Sequence, residues 1–436
     1  MRLNRETISS LPAASMSTTK RIILVADNAS SRFGGEAFIP LNYFRLLRAR
    51  NVDVRLVVHG RNKAELVDRF PDDLDRLHFV EDTWLHKTLF RFGELLPRRL
   101  AEATTGFLIH LTTQLTQRRR VRELVAKFRV DVVHQPIPVS PKTPSIFYGM
   151  GAPVVIGPLN GGMHYPAAFQ GDQGILSRIG MAFGRAVAVL FNFMIPGKRR
   201  AELILVANQR TREALPSGVK GRVVELVENG VDLSIWQRKQ PTRERDSSVR
   251  LIFVGRLIDW KALDIVLEAL RRANQQITAS LEIIGDGPMR QAWQDLAERT
   301  ELGSMVKFLG FMSQPQCAQH LQQADVFVLP SLFECGGAVV LEAMAAGLPV
   351  IATAWGGPLD YLDESCGILV EPASREALIS GFADGIVKLA KSAALRESMG
   401  QAGYARARGE FDWERKIDQI LDLYASVART PEDRLA

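Results

Sequence analysis

Two carboxylates, two cations and a helix start, all in the second half of the chain, hold the chemistry this sequence can do. Gly255-Arg256-Leu-Ile-Asp-Trp-Lys261 follows an apolar, strand-like run, Leu251–Val254. A glycine lets the backbone turn sharply where a strand stops. Arg256 and Lys261 on that loop can both reach one anion, the guanidinium through its planar fork and the ammonium as a mobile point charge. Downstream lies Ser331-Leu-Phe-Glu334-Cys-Gly-Gly-Ala-Val-Val-Leu-Glu342. Its glycine pair, Gly336-Gly337, predicts a helix running roughly to Ala346 and stopping at Gly347. Free amides and the dipole at such a helix start favour phosphate oxygens. Glu334, just before that helix, and Glu342, one to two turns inside it, cannot ligate phosphate, because like charges repel. Carboxylates do accept paired hydrogen bonds from a sugar diol. A diphosphate clamp beside two diol-binding acids describes a nucleoside diphosphate sugar.

Short apolar runs alternating with helical stretches position these groups. Candidate strands are Arg21–Val25, Asp53–Val58, Asp131–His134, Pro153–Gly157 and Leu203–Ala207, then Leu251–Val254, Ser280–Ile284, Val306–Leu309, Asp325–Leu329 and Pro349–Ala352. That alternation predicts an α/β fold with two doubly wound parallel sheets. The expected units are a disordered tail at 1–19, a first domain at 20–216, a second at 217–410 and a terminal helix at 411–436 packing back toward the first domain. Pro241–Ser248 reads as a polar linker or loop. In such sheets ligands collect beyond the carboxyl ends of the strands.

The chain has 436 residues, enough for two domains with a core each, and an ordinary 46% of hydrophobic residues. Its three cysteines, Cys317, Cys335 and Cys366, form no CxxC pair, which argues against a disulfide framework or a zinc site and fits a reducing, cytoplasmic setting. The net charge of +7 is uneven. Residues 1–215 hold 31 basic and 18 acidic side chains, a net of +13, and the remainder holds 24 and 30, a net of −6. A basic half invites anionic lipid, nucleic acid or a phosphorylated acceptor. Residues 84–129 read as helical, with Arg118-Arg119-Arg120 and Arg122 beside an apolar stretch, either a solvated helix face or an interfacial one. Gly180–Pro196 is apolar but short for a membrane span and interrupted by Arg185.

Several further motifs lie in order along the chain: Gly34-Gly35-Glu36, Glu228-Asn-Gly-Val-Asp232, Ile284-Gly-Asp-Gly-Pro288, Leu309-Gly310-Phe311, Ala324–Ser331 and Gly367–Pro372. With the Gly255–Lys261 loop and Glu334-x7-Glu342, this set resembles glycosyltransferase family 4 over roughly residues 20–430. The resemblance implies a GT-B fold, two Rossmann-like domains facing across a cleft. It implies a retaining transferase moving a hexose from a nucleotide sugar to a saccharide or lipid-linked acceptor, as in cell-envelope, exopolysaccharide or glycolipid synthesis, with no cofactor and no metal. Arg256 and Lys261 would hold the diphosphate, Glu342 the ribose and Glu334 the transferred sugar. Gly35, Gly310, Phe311 and the backbone around Gly337-Ala338-Val339 would complete the donor site. The expected partners are the donor, the acceptor and an anionic membrane surface on the cytoplasmic side, and not nucleic acid.

Three departures from the family pattern bear on the sugar pocket: Cys335-Gly336-Gly337 after the first acid, Ala262 in place of a glycine, and Asp360 in place of a glutamate. In the first half, His164 in Gly157–Pro166 resembles a family histidine facing the sugar and is a candidate catalytic and acceptor-binding residue. Asn160 and His134 are the other acceptor-side candidates. The contrasting expectation, a non-catalytic scaffold binding a nucleotide or membrane, would have been favoured by loss of Arg256, Lys261 or Glu334. The absence of GxGxxG disfavours a dinucleotide oxidoreductase. An epimerase or phosphorylase of the same fold leaves the motif set unexplained.

Overall fold

The structure, a computed structural model, describes residues 20–95, 101–170, 190–238 and 248–428. The predicted tail at 1–19 and most of the predicted linker and of the apolar stretch at 180–196 lie outside them. Among the described residues, thirteen strands form two sheets, every strand pair parallel. The first contains β1 (Arg21–Ala26), β2 (Asp53–His59), β3 (Leu77–Val80), β4 (Val132–Gln135), β5 (Val154–Leu159), β6 (Leu203–Val206) and β7 (Arg222–Glu225), in the order β3-β2-β1-β4-β5-β6-β7. The second contains β8 (Ser248–Val254), β9 (Thr278–Ile284), β10 (Val306–Gly310), β11 (Val326–Leu329), β12 (Val350–Thr353) and β13 (Gly367–Val370), in the order β10-β9-β8-β11-β12-β13. Runs such as Ile22–Val25 and Val326–Leu329 are buried throughout because helices cover both sheet faces.

Helices used below are α1 (Gly35–Ala49), α2 (Lys63–Arg69), α3 (Trp84–Glu94), α4 (Phe107–Phe128), α5 (Gln209–Glu213), α6 (Leu263–Ala273), α7 (Arg290–Arg299), α8 (Gln314–Gln323), α9 (Ala338–Ala345), α10 (Arg375–Lys391), α11 (Ala393–Glu410) and α12 (Trp413–Val427). After α11 the chain returns to the first half. Trp413, Ile417, Ile420, Leu423 and Tyr424 of α12 bury themselves in a core shared with α1 and the first sheet.

Two expectations need correction. The first sheet does not close by residue 216: β7 at Arg222–Glu225 is its last strand and pairs with β6. That strand is an edge with a largely exposed, polar-flanked sequence, so it lacks the apolar run that reveals a buried strand. Strands β3 and β13 were also unread, being four residues long with few consecutive apolar positions or a leading glycine. The helical reading of 84–129 resolves into α3 and α4. Among the described residues, no helix is long and apolar enough to cross a membrane.

Candidate active site at the facing strand-end rims

In each sheet the strand order reverses once, between β1 and β4 and between β8 and β11. At such a switch point the loops leaving two neighbouring strands diverge to opposite faces and open a crevice. In the second half those loops are the ones that follow β8 and β11. They carry Arg256, Lys261 and Glu334.

Side-chain and backbone contacts tie these loops together. Lys261 donates from Nζ to Glu334 Oε2, with both side chains largely shielded (13% and 14% exposed). Leu332 N donates to Trp260 O at 2.9 Å, and Gly357 N donates to Glu334 O at 2.7 Å, linking in the loop after β12. Gly285 marks the closeness of the neighbouring turn: a Cβ there would lie 1.9 Å from Gly255 O. Helix α9 starts as the sequence predicts. Gly337 precedes it with φ +76°, a left-handed conformation that a side chain resists, and Gly347 (φ +77°) follows its end. Ala338 and Val339 therefore present the first amides of α9 beside Glu334, as any helix start does. Ala262 also sits in the left-handed region (φ 48°), which explains why a glycine suits that position.

Arg256 is exposed on the same loop and makes no ion pair among the described residues. Glu342, inside α9, is half-buried with no hydrogen bond or ion pair among the described residues, and burial pushes its carboxyl up to about 8. Gly310 (φ +79°) ends β10, and Phe311 beyond it is 83% exposed. The Cys335 thiol, beside Glu334, is pushed up to about 11 by burial and by the Glu334 charge.

The first half faces this site through the loop after β5. Tyr165 stacks on Phe333 with ring centroids 5.1 Å apart, and the Trp355 indole donates to His164 O at 2.7 Å. The His164 side chain is exposed at this junction. Below it, Asn208 and Arg210 of the first half reach Asp360 of the second at 2.8 and 3.3 Å. The family departure at Asp360 thus lies in a contact between the halves.

Two acceptor-side candidates are corrected. His134 is fully buried: its Nε2–H donates to Gly157 O at 2.5 Å and its Nδ1 accepts from Tyr424 OH at 2.6 Å. Burial holds it down at about 4, so it is a neutral core histidine that fastens α12, with no surface for an acceptor. Asn160 is also buried, its amide donating to Glu228 Oε1 at 2.6 Å and Cys335 O at 2.8 Å. It is a strut between the halves beside Glu334, with both amide hydrogens committed. Burial raises the Glu228 carboxyl and lowers the neighbouring Lys416 ammonium, which bonds the carbonyls of Val227 and Asn229.

At the other switch point the sequence reading found Gly35 and Glu36 but missed Asp27 and His110. Asp27, one residue past β1, pairs with His110 of α4, and Glu36 of α1 accepts from Val139 N at 2.8 Å. Burial lowers the His110 imidazole, but the hydrogen bond and charge of Asp27 outweigh it and hold it above its ordinary value. Burial raises Glu36. Asp27 was findable, because it stands where the first strand stops; His110, in mid-helix, carried no local signal. Gly35 opens α1 on this rim in the open, with nothing near its Cβ position.

A third cluster, His59, Asp82 and His86, has ligand atoms within 4.8 Å of one another. Its imidazole nitrogens are already engaged. Both Nδ1 atoms accept backbone N–H groups, from Arg61 and Thr83, leaving Nε2–H to face Asp82 and Thr113 Oγ1. Neutral imidazoles so bonded offer no nitrogen to a metal.

Two facing parallel-sheet halves of this kind define the GT-B architecture, and solved structures share it. A glycosyltransferase from Rickettsia africae aligns with TM-score 0.65 at 15% identity, over 94% of this chain and 99% of that one. Anabaena HepE in complex with UDP aligns with TM-score 0.63 at 17% identity, over 93% and 100%. Within the fold, residues 234–406 match the family described as glycosyl transferases group 1, so the second half carries that domain. A D-inositol 3-phosphate glycosyltransferase of Kribbella flavida is 30% identical over 230 residues, 49% of this chain and 53% of that protein. The chain spans about half the length of the first curated relatives it matches.

Proposed function

We propose that this chain is a retaining glycosyltransferase that moves a hexose from a nucleoside diphosphate sugar to a saccharide or a lipid-linked acceptor. The observation that carries the reading is the meeting of Lys261 with Glu334 beside the start of α9, at the second sheet's switch point. In this reading Lys261 and Arg256 take the diphosphate, the amides of Ala338 and Val339 cap its oxygens, and Glu334 and Glu342 take sugar and ribose hydroxyls. The bond from the anomeric carbon to the diphosphate breaks with its electron pair left on oxygen. The acceptor oxygen bonds to the same face of that carbon, and its proton passes to the departing phosphate. Charge develops on the diphosphate as the sugar becomes oxocarbenium-like, and fixed cations with a helix start stabilise it without reorganising. They supply the positive charge that a divalent ion would otherwise bring, so the reading uses no metal. The exposed His164 stands on the opposite rim to orient the acceptor hydroxyl or the sugar.

Two similar proteins supply the donors to try first. HepE is described with UDP and with UDP-glucose, and a Corynebacterium glutamicum relative, 26% identical over 54% of this chain, is described as GDP-mannose-dependent. The lipid-linked arm of the reading brings the chain to the cytoplasmic face of a membrane, where an acceptor head group can enter the cleft. A thermal-shift panel of UDP-, GDP- and ADP-sugars tests the reading. At one hundred times its dissociation constant the true donor should stabilise by about 2.7 kcal/mol, roughly 5–10 °C for a domain of this size. If no nucleotide sugar shifts the transition, the transferase reading fails.

A further inference from the structure

Large apolar side chains left in solvent are concentrated on one part of this molecule. Of fourteen among the described residues, ten fall in three segments of the first half, 84–95, 108–115 and 190–194. Scattered single exposures are ordinary; a contiguous group is not. The segments adjoin. Helix α3 packs on α4, and the ring of Phe107 of α4 meets that of Phe191 at a tilt, with centroids 4.8 Å apart.

Helix α3 is turned inside out. At 3.6 residues per turn, Trp84, Leu85, Phe92 and Leu95 fall within an arc of roughly 100°. That arc faces solvent, with Trp84 75%, Phe92 60% and Leu95 80% exposed, while the polar His86 on the far side is buried against Thr113. Exposed Lys87 and Arg91 border the apolar arc. Helix α4 continues the pattern along one outward stripe, Leu108, Thr112, Leu115, Arg119 and Arg122, which passes from apolar to basic. Leu115, Arg118, Arg119, Arg122 and Glu123 line a shallow depression there, with Glu123 3.7 Å from Arg119 and Arg122 making no ion pair among the described residues.

We infer that the outward face of α3 and the Leu108–Arg122 stripe of α4 form a docking surface for a bilayer carrying anionic lipid. The aromatic and leucine side chains enter the acyl boundary, while Lys87, Arg91, Arg119 and Arg122 stay at the phosphate level. A second copy of the chain fits less well, because a symmetric contact would set the same four cations against themselves. No described helix spans a bilayer, so the contact is interfacial. The inference deepens the lipid-linked arm of the proposed function, and its test is separate, because binding to vesicles needs no transfer.

The experiment is cosedimentation of the full chain with vesicles of zwitterionic lipid alone and of zwitterionic lipid mixed with anionic lipid, at low and high salt. The expected result is binding to the mixed vesicles that weakens with salt. It should also weaken about tenfold or more in each of two variants, Trp84→Ser with Phe92→Ser and Leu95→Ser, and Arg119→Glu with Arg122→Glu. All five positions point outward, and an unchanged melting temperature with nucleotide confirms that each variant folds. Absence of binding to mixed vesicles at low salt overturns the inference. So does undiminished binding by both variants, or a concentration-dependent dimer that the serine variant abolishes.

Discussion

The contact between Lys261 and Glu334 makes a prediction that runs against the usual effect of damaging a binding site. In the proposed reading, the ammonium assigned to the diphosphate is paired with the acid assigned to the sugar. A nucleotide without its sugar must break that pair and leave Glu334 beside a new negative charge. With side chains 13% and 14% exposed, the pair lies between the exposed limit, at most about 1 kcal/mol, and the fully buried one, where losing a partner costs about 3–5 kcal/mol. Roughly 1–2 kcal/mol is the share a bare nucleotide forfeits. Replacing Glu334→Gln removes the competitor and keeps the side chain's shape. It should therefore tighten binding of the free nucleoside diphosphate about five- to thirtyfold, since each 1.4 kcal/mol is a factor of ten. Transfer should collapse in the same protein, because the amide no longer grips the reacting sugar as a carboxylate does. Isothermal titration with UDP and GDP, alongside a transfer assay, reads both effects. Nucleotide binding that is unchanged or weaker in Glu334→Gln would refute the reasoning and reduce Glu334 to a structural partner of Lys261.

Two further predictions follow from buried titrating groups. Glu342 is raised in the folded protein, so the folded chain holds a proton that the unfolded chain has lost, and stability should fall as pH rises from about 4.5 to 8. If the ribose diol binds the carboxylate form, UDP affinity should climb from pH 7 to 8.5 by at most about tenfold per unit. Both trends should be absent in Glu342→Gln, and a matching slope in that variant would remove Glu342 from the site. His134 is shifted the other way, so its contribution should be lost as pH falls from 6.5 through 4, by about 3 kcal/mol in all. His134→Leu should flatten that limb in a pH series of denaturant melts. At pH 7.5 it should cost about 2–4 kcal/mol, by orphaning Tyr424 OH and the Gly157 carbonyl. Its acceptor KM should not change; a raised KM would return His134 to the acceptor site.

Local sequence determined much of this protein because local rules suffice for it. Ten of the thirteen strands are legible as short apolar runs, since parallel sheets covered on both faces need apolar residues at nearly every position. The start and stop of α9 are legible because Gly337 and Gly347 take backbone angles that other residues resist. Arg256, Lys261 and Glu334 are legible because each follows a strand. What the tertiary structure alone decided is which of these groups touch. The pairing of Lys261 with Glu334 spans 73 positions and depends on β8 lying next to β11. Asn160 and His134 read as loop and strand-end polar groups, and only packing made one a strut between halves and the other a core histidine. The apolar face of α3 has the same periodicity whether it points inward or outward. Periodicity fixes which side chains share a face, but the direction of that face is set by where the rest of the chain leaves room.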